Sequence, residues 1–189
     1  MYHLTIFASG GGSNAREICK YFQDHPAIRV GLIITNKEKA GVLDIAKAFD
    51  IPAYTLSGKE LSDERFMLDL LGKYHIDYIA LAGYLKLIPS WLIAAFPGRI
   101  LNIHPSLLPK YGGKGMYGIH VHEAVKAHKE AESGMTVHLV NEAFDKGRIL
   151  FQAKTRLTED MTPADIAATV LALEHQYYSA AIEKFVLGQ

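Results

Sequence analysis

Asn102 and His104 stand two residues apart in Leu101-Asn102-Ile103-His104-Pro105, at the end of an apolar run. In an extended strand, period-two alternation places both side chains on one face. An amide N–H can donate to an oxygen that is gaining negative charge, and an imidazole moves protons near neutral pH. The pair therefore suits acyl transfer, although a buried Asn–His hydrogen bond with no chemistry would leave the same trace. Asp145, in Phe144-Asp145-Lys146-Gly147, is either a solvated turn acid or a carboxylate partner. As a partner it would raise the pKa of His104 and orient its ring. Sequence separation alone leaves both readings open.

The third feature is Ser9-Gly10-Gly11-Gly12-Ser13-Asn14, between a strand pattern and a helix pattern. Glycines let backbone approach a ligand closely, and a helix N-terminus offers unpaired N–H groups with partial positive charge. Gly10, Gly12 and Ala15 match G-x-G-x-x-A, a weak signal by itself. A dinucleotide site also wants an acid roughly 20 residues further on, where this chain has Thr35-Asn36-Lys37. The turn is read as a site for a phosphorylated small molecule, set against a tight turn that binds nothing.

Other polar residues carry less. His120 and His122 could suggest a metal, but no third ligand sits at a recognisable spacing, so no metal is expected. His138 lies inside an apolar strand and is expected to hydrogen-bond in the core or behind the site. Glu174 lies beside the apolar stripe of the last helix, on its solvated side unless that helix lines the pocket. Trp91 and the Phe and Tyr residues at helical spacing are read as core.

Alternating strand and helix patterns position these residues. His3–Ala8, Ile28–Thr35, Ala53–Leu56, Tyr78–Ala82 and Ile100–Ile103 read as strands. Helices are expected over Ala15–Gln23, Val42–Phe49, Ser62 or Asp63 to Tyr74, and Ser90–Phe96. Continuous apolar strands in this alternation imply a mostly parallel sheet covered on both faces. After Pro105 the pattern changes. A helix over His122–Lys129 precedes Met135–Val140 and Ile149–Thr155, whose short Glu142–Gly147 link lets them pair antiparallel. Thr162-Pro163-Ala164-Asp165 starts a last helix with Ile166, Val170, Leu173, Tyr177 and Ala181 on one stripe. No repeat or linker interrupts the chain, so one domain, 1–189, is expected.

The totals set outer bounds. The chain has 189 residues, 49% of them apolar, which excludes a disordered polymer. Its 20 basic and 20 acidic residues cancel, which argues against gripping nucleic acid or an anionic membrane by bulk charge. Cys19 is the only cysteine, so neither an internal disulfide nor a Cys-rich metal site is available, and it is read as a small buried apolar residue. No stretch approaches the roughly 18 apolar residues of a membrane span. A cytoplasmic protein of a reducing compartment is expected.

With these residues in hand, the chain resembles the folate-dependent formyltransferases along essentially its whole length. Gly12-Ser13-Asn14 after the first strand, Leu81 to Ile88 (LAGYLKLI), Asn102 to Tyr111 (NIHPSLLPKY), Phe144 to Gly147 and Glu174-His175 carry the resemblance. It implies a Rossmann-like three-layer α/β fold with an antiparallel C-terminal part. It also implies transfer of a formyl group from 10-formyltetrahydrofolate, as co-substrate, to the glycinamide amine of glycinamide ribonucleotide (GAR). Carried over by position, Gly12, Ser13 and Asn14 would hold the acceptor phosphate, and Glu174 the glycinamide or ribose. Leu85, Lys86, Leu87 and Ile88 would line the pterin site, Asn102 would donate to the formyl oxygen, His104 would assist proton transfer, and Asp145 would orient His104 or a relaying water. No metal is implied, and a homodimer is left open.

Three departures stand out. The Gly112–His120 segment is longer than usual and lacks its common proline. Lys146 and Arg148 stand where Gly and Pro are commoner. Arg65 is only loosely aligned as a contact for the folate tail. Relatives that formylate an aminoacyl-tRNA carry a further C-terminal domain that a chain of this length would lack. Formyltransferases acting on sugar-nucleotide amines and a non-catalytic binding module are the remaining alternatives. Gly12-Ser13-Asn14 favours a phosphoribosyl acceptor over the first, and intact Asn102, His104 and Asp145 argue against the second.

Overall fold

A computed structural model describes residues 1–188. Seven strands form one sheet: β1 (Tyr2–Phe7), β2 (Ile28–Thr35), β3 (Ala53–Thr55), β4 (Tyr78–Leu81), β5 (Ile100–His104), β6 (Glu132–Leu139) and β7 (Ile149–Arg156). Their order is β3-β2-β1-β4-β5-β6-β7. β1 to β5 run parallel, β6 is antiparallel to β5, and β7 is antiparallel to β6. The expected mixed sheet is therefore present, and strand ends fall within a few residues of the sequence reading.

Two apolar layers flank the sheet. One holds α1 (Ser13–Phe22), α2 (Val42–Ala48), α6 (Ile119–Ala127) and α7 (Pro163–Val186), through residues such as Ile18, Val42, Val125 and Val170. The other holds α3 (Gly58–Ser62), α4 (Glu64–Lys73) and α5 (Ser90–Ala95), through Leu61, Met67, Leu71 and Leu92. Cys19 is buried, as expected, and burial pushes its thiol up to about 12. Trp91 packs at the margin of the second layer.

The chain winds outward from β1 to β3, then returns past β1 to β4. Between β1 and β4 the loops beyond the strand ends diverge and leave a crevice. Ser9 staples that point. Its N–H donates to Gly83 O (3.1 Å), its hydroxyl donates to Asn36 Oδ1 (2.5 Å), and the same oxygen accepts from Leu85 N–H (3.0 Å).

Helix starts follow their local chemistry. Asp63 caps α4, and Thr162 with Asp165 forms a capping box on α7 with Pro163 in the first turn. The sequence reading missed α3, although Ser57 and Glu60 form a capping box there. It also started α6 three residues late, because Gly118 precedes that helix with no capping side chain to signal it.

The buried row of α7 is Ile166, Val170, Glu174, Tyr178, Ile182 and Val186. Leu173, Tyr177 and Ala181 pack only at its edge. Of the two placements open to Glu174, the structure shows the pocket-lining one: it is buried within the row rather than solvated beside it. Each step of four advances about 40° beyond a full turn, so this buried row winds around the helix, whereas a stripe of mixed three- and four-residue steps stays near one face. Tyr178 is buried in the same row and donates to Leu81 O at the end of β4 (2.9 Å). Tyr178→Phe leaves that carbonyl without its partner and should lower stability by about 1–2 kcal/mol, read as a lower urea midpoint at unchanged slope. An unaltered midpoint would contradict this role.

Candidate active site

β5 carries Asn102 and His104 on one face, as the alternation requires. Antiparallel pairing sets His138 of β6 opposite Asn102 and Thr136 opposite His104. The loop after β7's partner strand brings Asp145 over the pair in a left-handed conformation (φ 56°). Its Oδ2 lies 3.6 Å from His104 Nδ1 and accepts from Gly113 N–H at 2.9 Å. Its Oδ1 lies 3.5 Å from His138 Nε2 and 3.4 Å from Asn102 Nδ2. The three residues picked out as acyl-transfer machinery thus meet in one place, and Asp145 is no solvated turn residue.

The hydrogen bonds fix the proton positions. His104 Nε2 lies 2.7 Å from Tyr111 O; a carbonyl only accepts, so Nε2–H donates and Nδ1 is left facing Asp145. His138 Nδ1 lies 2.9 Å from Leu139 O, so Nδ1–H donates there and Nε2 accepts from Asn102 Nδ2 at 3.0 Å. This holds the amide of Asn102 with nitrogen toward Asp145. Its second N–H is held only loosely and is the donor left for a ligand oxygen.

The carbonyl of Tyr111 is itself held. Thr136 Oγ1 donates to Ser106 O (2.6 Å) and accepts from Leu108 N–H (3.0 Å) and Gln152 Nε2 (2.9 Å). Ser106 Oγ then donates to Lys110 O (2.7 Å). β6 and β7 therefore clamp the segment that shapes the far side of the His104 ring.

Burial holds the His104 imidazolium below its ordinary value, opposed by the Asp145 charge and the Tyr111 carbonyl. The sequence reading expected the carboxylate to raise this pKa; its pull is present, but desolvation of a ring only 4% exposed outweighs it. For Asp145, burial pushes upward, yet His138, His104 and the Gly113 N–H together hold the carboxyl below its usual range.

These residues open onto a cavity of about 590 Å³. On the same cavity's lining, Asn14 Nδ2 donates to Glu174 Oε2 at 2.6 Å, while Asn14 Oδ1 is buried without a partner. Desolvation raises the pKa of Glu174, partly offset by the Asn14 bond. Gly12, at φ 78°, has no room for a side chain, because a Cβ would sit 2.9 Å from Val42 Cα. Of Gly12, Ser13 and Asn14, only Asn14 lines the cavity. No side chain caps α1 and no acid occupies its first turn, so its N–H groups are free for an anion.

Leu85, Lys86, Leu87 and Ile88 form another wall. Among the described residues, six of the ten exposed large apolar side chains line the same cavity: Leu85, Leu87, Tyr117, Ile119, Phe144 and Leu171. Apolar surface gathered this way marks a ligand slot. The sequence reading missed Tyr117, Ile119 and Leu171 as lining residues; the visible signal was their apolar type in polar or solvated surroundings. Arg65 is exposed on α4 beside Asp69 and does not line the cavity. His120 is exposed while His122 is buried. Among the described residues no group of three or more His, Cys, Asp or Glu is placed to hold a metal ion, and no helix is long and apolar enough to cross a membrane.

A family model described as formyl transferase matches residues 2–182. A phosphoribosylglycinamide formyltransferase, chloroplastic, from Arabidopsis thaliana is 46% identical over 181 residues, covering 93% of this chain and 62% of its own length. A phosphoribosylglycinamide formyltransferase from Bacillus subtilis is 33% identical, covering 98% of this chain and 95% of its own length. The chain thus spans under two thirds of the plant relative and nearly all of the bacterial one. A crystal structure of phosphoribosylglycinamide formyltransferase from Brucella melitensis superposes with a TM-score of 0.88 at 36% identity, covering 100% of this chain and 97% of that one.

Glu174 provides a test of the site's energetics. Its carboxyl is raised in the folded state, so the fold binds more protons than the unfolded chain between the ordinary value of 4.5 and the raised one. Stability is therefore lost as pH rises through that window. Glu174→Gln removes the buried charge and keeps an acceptor for Asn14. Its melting temperature should gain on the wild type as pH rises above the ordinary 4.5. A gap that does not widen with pH would contradict the buried carboxylate.

Proposed function

The chain belongs to the formyl transferase family, and from that premise we propose that it moves a formyl group from 10-formyltetrahydrofolate to the glycinamide amine of GAR. The products are formyl-GAR and tetrahydrofolate, a step of purine (IMP) biosynthesis. The observation that carries this reading is the convergence of Asn102, His104 and Asp145 on one cavity that is also lined by Asn14, at an uncapped helix start, and by Glu174. Relatives named for this activity support the choice of acceptor.

On this reading the acceptor phosphate sits at the free N–H groups of Gly12, Ser13 and Asn14, with Glu174 on the ribose or glycinamide. Binding at that remote end orients the amine toward β5. The donor's ring lies against Leu85 to Ile88 and Phe144. As the neutral amine adds to the formyl carbon, the loose N–H of Asn102 donates to the oxygen that becomes negative. His104 takes the amine proton at Nδ1, the nitrogen that faces Asp145, and Asp145 stabilises the imidazolium. When the C–N bond to the donor breaks, that proton goes to the departing nitrogen. The nucleophile comes with the substrate, so the protein supplies no Ser or Cys. We assign the activity to one domain, 1–189, acting on small molecules in the cytoplasm, where a reducing medium suits the free thiol of Cys19.

Purified protein with GAR and 10-formyltetrahydrofolate should release tetrahydrofolate; none at saturating substrates would defeat the function. Asn102→Ala should lower kcat about 10²- to 10³-fold with little change in KM for GAR. An unchanged kcat would sink the oxyanion role.

The pH profile gives an independent check. Because burial lowers the His104 pKa, the acid limb of kcat/KM should fall below the ordinary 6.5. The Asp145 charge pulls the other way, so Asp145→Asn should move that limb lower still while depressing the plateau. A limb that moves up, or stays put, would exclude His104 as the group that takes the proton.

A further inference from the structure

A neutral His104 can carry its proton on either ring nitrogen, and each nitrogen has an acceptor beside it. Nε2 lies 2.7 Å from Tyr111 O, and Nδ1 lies 3.6 Å from Asp145 Oδ2. Only a proton on Nε2 leaves Nδ1 able to take another. Asp145 is held in its ionised form, and an Nδ1–H would bind that carboxylate through a charge-assisted bond, the stronger kind. The useful tautomer wins only while the Tyr111 carbonyl is held close to Nε2.

Tyr111 does not rest there unaided. Its φ of 56° is left-handed, a conformation that a tyrosine adopts at a cost. The bonds from Thr136 and Ser106 hold the chain as far as Lys110 O. Beyond that point Tyr111 is held by its own side chain. Its hydroxyl donates to Glu130 Oε1 at 2.8 Å, and its ring packs on His128 with centroids 5.6 Å apart. Lys110 Nζ donates to the same Glu130 oxygen at 2.8 Å.

Glu130 is placed by the end of α6. Lys129 N–H donates to Lys126 O (3.0 Å) and Glu130 N–H donates to Val125 O (3.3 Å), around a left-handed Lys129 (φ 52°). This pair of bonds is a Schellman closure, which sets the course of the chain just past the helix. Lys110, then Tyr111, holds the Glu130 carboxyl below its usual range, while burial, then Glu130, pushes the Tyr111 phenol up to about 12. Near neutral pH the contact therefore joins a carboxylate to an intact phenol, with the hydroxyl as donor.

We infer that Glu130, acting through the Tyr111 side chain, is a positioning residue for His104: it fixes the Tyr111 carbonyl against Nε2 and so selects the tautomer whose Nδ1 is free. Neither Glu130 nor Tyr111 lines the cavity, so the effect reaches the site through the Tyr111 backbone. Asp145, His138 and, from α6, His122 also stand near the His104 ring, and the variants below leave all three in place. The tautomer is a property of the folded protein without substrate; its consequence for a rate rests on the formyl-transfer reading.

The test reads the His104 ring nitrogens by NMR in the intact protein, at a pH where the ring is neutral, with signals assigned by their loss in His104→Gln. The wild type should show a protonated Nε2 and a bare Nδ1. Glu130→Ala and Tyr111→Phe should each move the ring toward the Nδ1–H pattern. Glu130→Gln, whose amide oxygen still accepts from the phenol, should largely keep the wild-type pattern. The double variant should shift no further than either single one, because both remove the same contact. With GAR and 10-formyltetrahydrofolate, Glu130→Ala and Tyr111→Phe should each lower kcat about two- to tenfold, the scale of one hydrogen bond, with KM for GAR unchanged. A wild-type ring protonated at Nδ1, ring signals indifferent to both variants, or shifts that add in the double variant overturn the proposal. So does a kcat loss with an unshifted ring, which would make Glu130 a merely structural residue. A protein that shows the tautomer shifts yet formylates nothing upholds the positioning role and defeats the formyl-transfer reading alone.

Discussion

The carboxylate of Asp145 is where the separately folded parts of the site are tied together. Its side chain is only 10% exposed, and a charge so placed is costly unless it is matched on several sides. β5 supplies His104 and Asn102, β6 supplies His138, and the loop after Tyr111 supplies the Gly113 N–H. These four groups come from three stretches of chain, so one carboxylate ties all three to its own loop. Gly112 shows how close that approach is, since a Cβ there would lie 3.1 Å from Asp145 Cβ and 2.5 Å from Leu108 Cδ2.

The Asn14–Glu174 pair on the same cavity works by a different balance. Asp145 is held ionised by its neighbours, whereas Glu174 is buried with one donor from Asn14 and has its pKa raised. The Asn14 carbonyl is left without a partner beside it. Unmatched polar groups lower the stability of the empty protein, and a ligand bearing hydroxyls or an amide could satisfy them on binding. The Asp145 cluster is thus preorganised for charge and proton movement; the Asn14–Glu174 pair is poised to be completed by a substrate.

Much of this was legible in the chain, for reasons that differ by residue. Asn102 and His104 could be paired because period-two alternation is local. The helix start after Gly12 was visible because Gly10 to Gly12 has few other uses. The approach of Asp145 to His104 was beyond local reading, since it depends on how β6 and β7 pair and where the loop between them lands. For the same reason the sequence did not disclose that His138 stands opposite Asn102, only that it would be buried. For Glu174 the chain left two placements open, because an acid beside an apolar stripe is normally solvated, and only the packing of α7 against α1 shows that it faces Asn14 in the cavity. The start of α6 escaped notice because its glycine leaves the first turn uncapped.

The exposed apolar wall and the buried polar cluster are best understood together. Leu85, Leu87, Tyr117 and Phe144 leave apolar surface open to water, a cost the empty protein bears. A flat ring laid against that surface would remove it from water and also exclude solvent from the neighbouring Asn102 and His104. In the lower local dielectric, the Asn102 N–H acts more strongly on a developing oxygen charge. The same change disfavours an isolated imidazolium, which is already held down by burial. Asp145, paired with the Nδ1 edge of that ring, offsets the penalty only once the ring is protonated. The site is therefore arranged so that closing it over a ligand strengthens the oxyanion donor, while the carboxylate keeps the protonated base accessible.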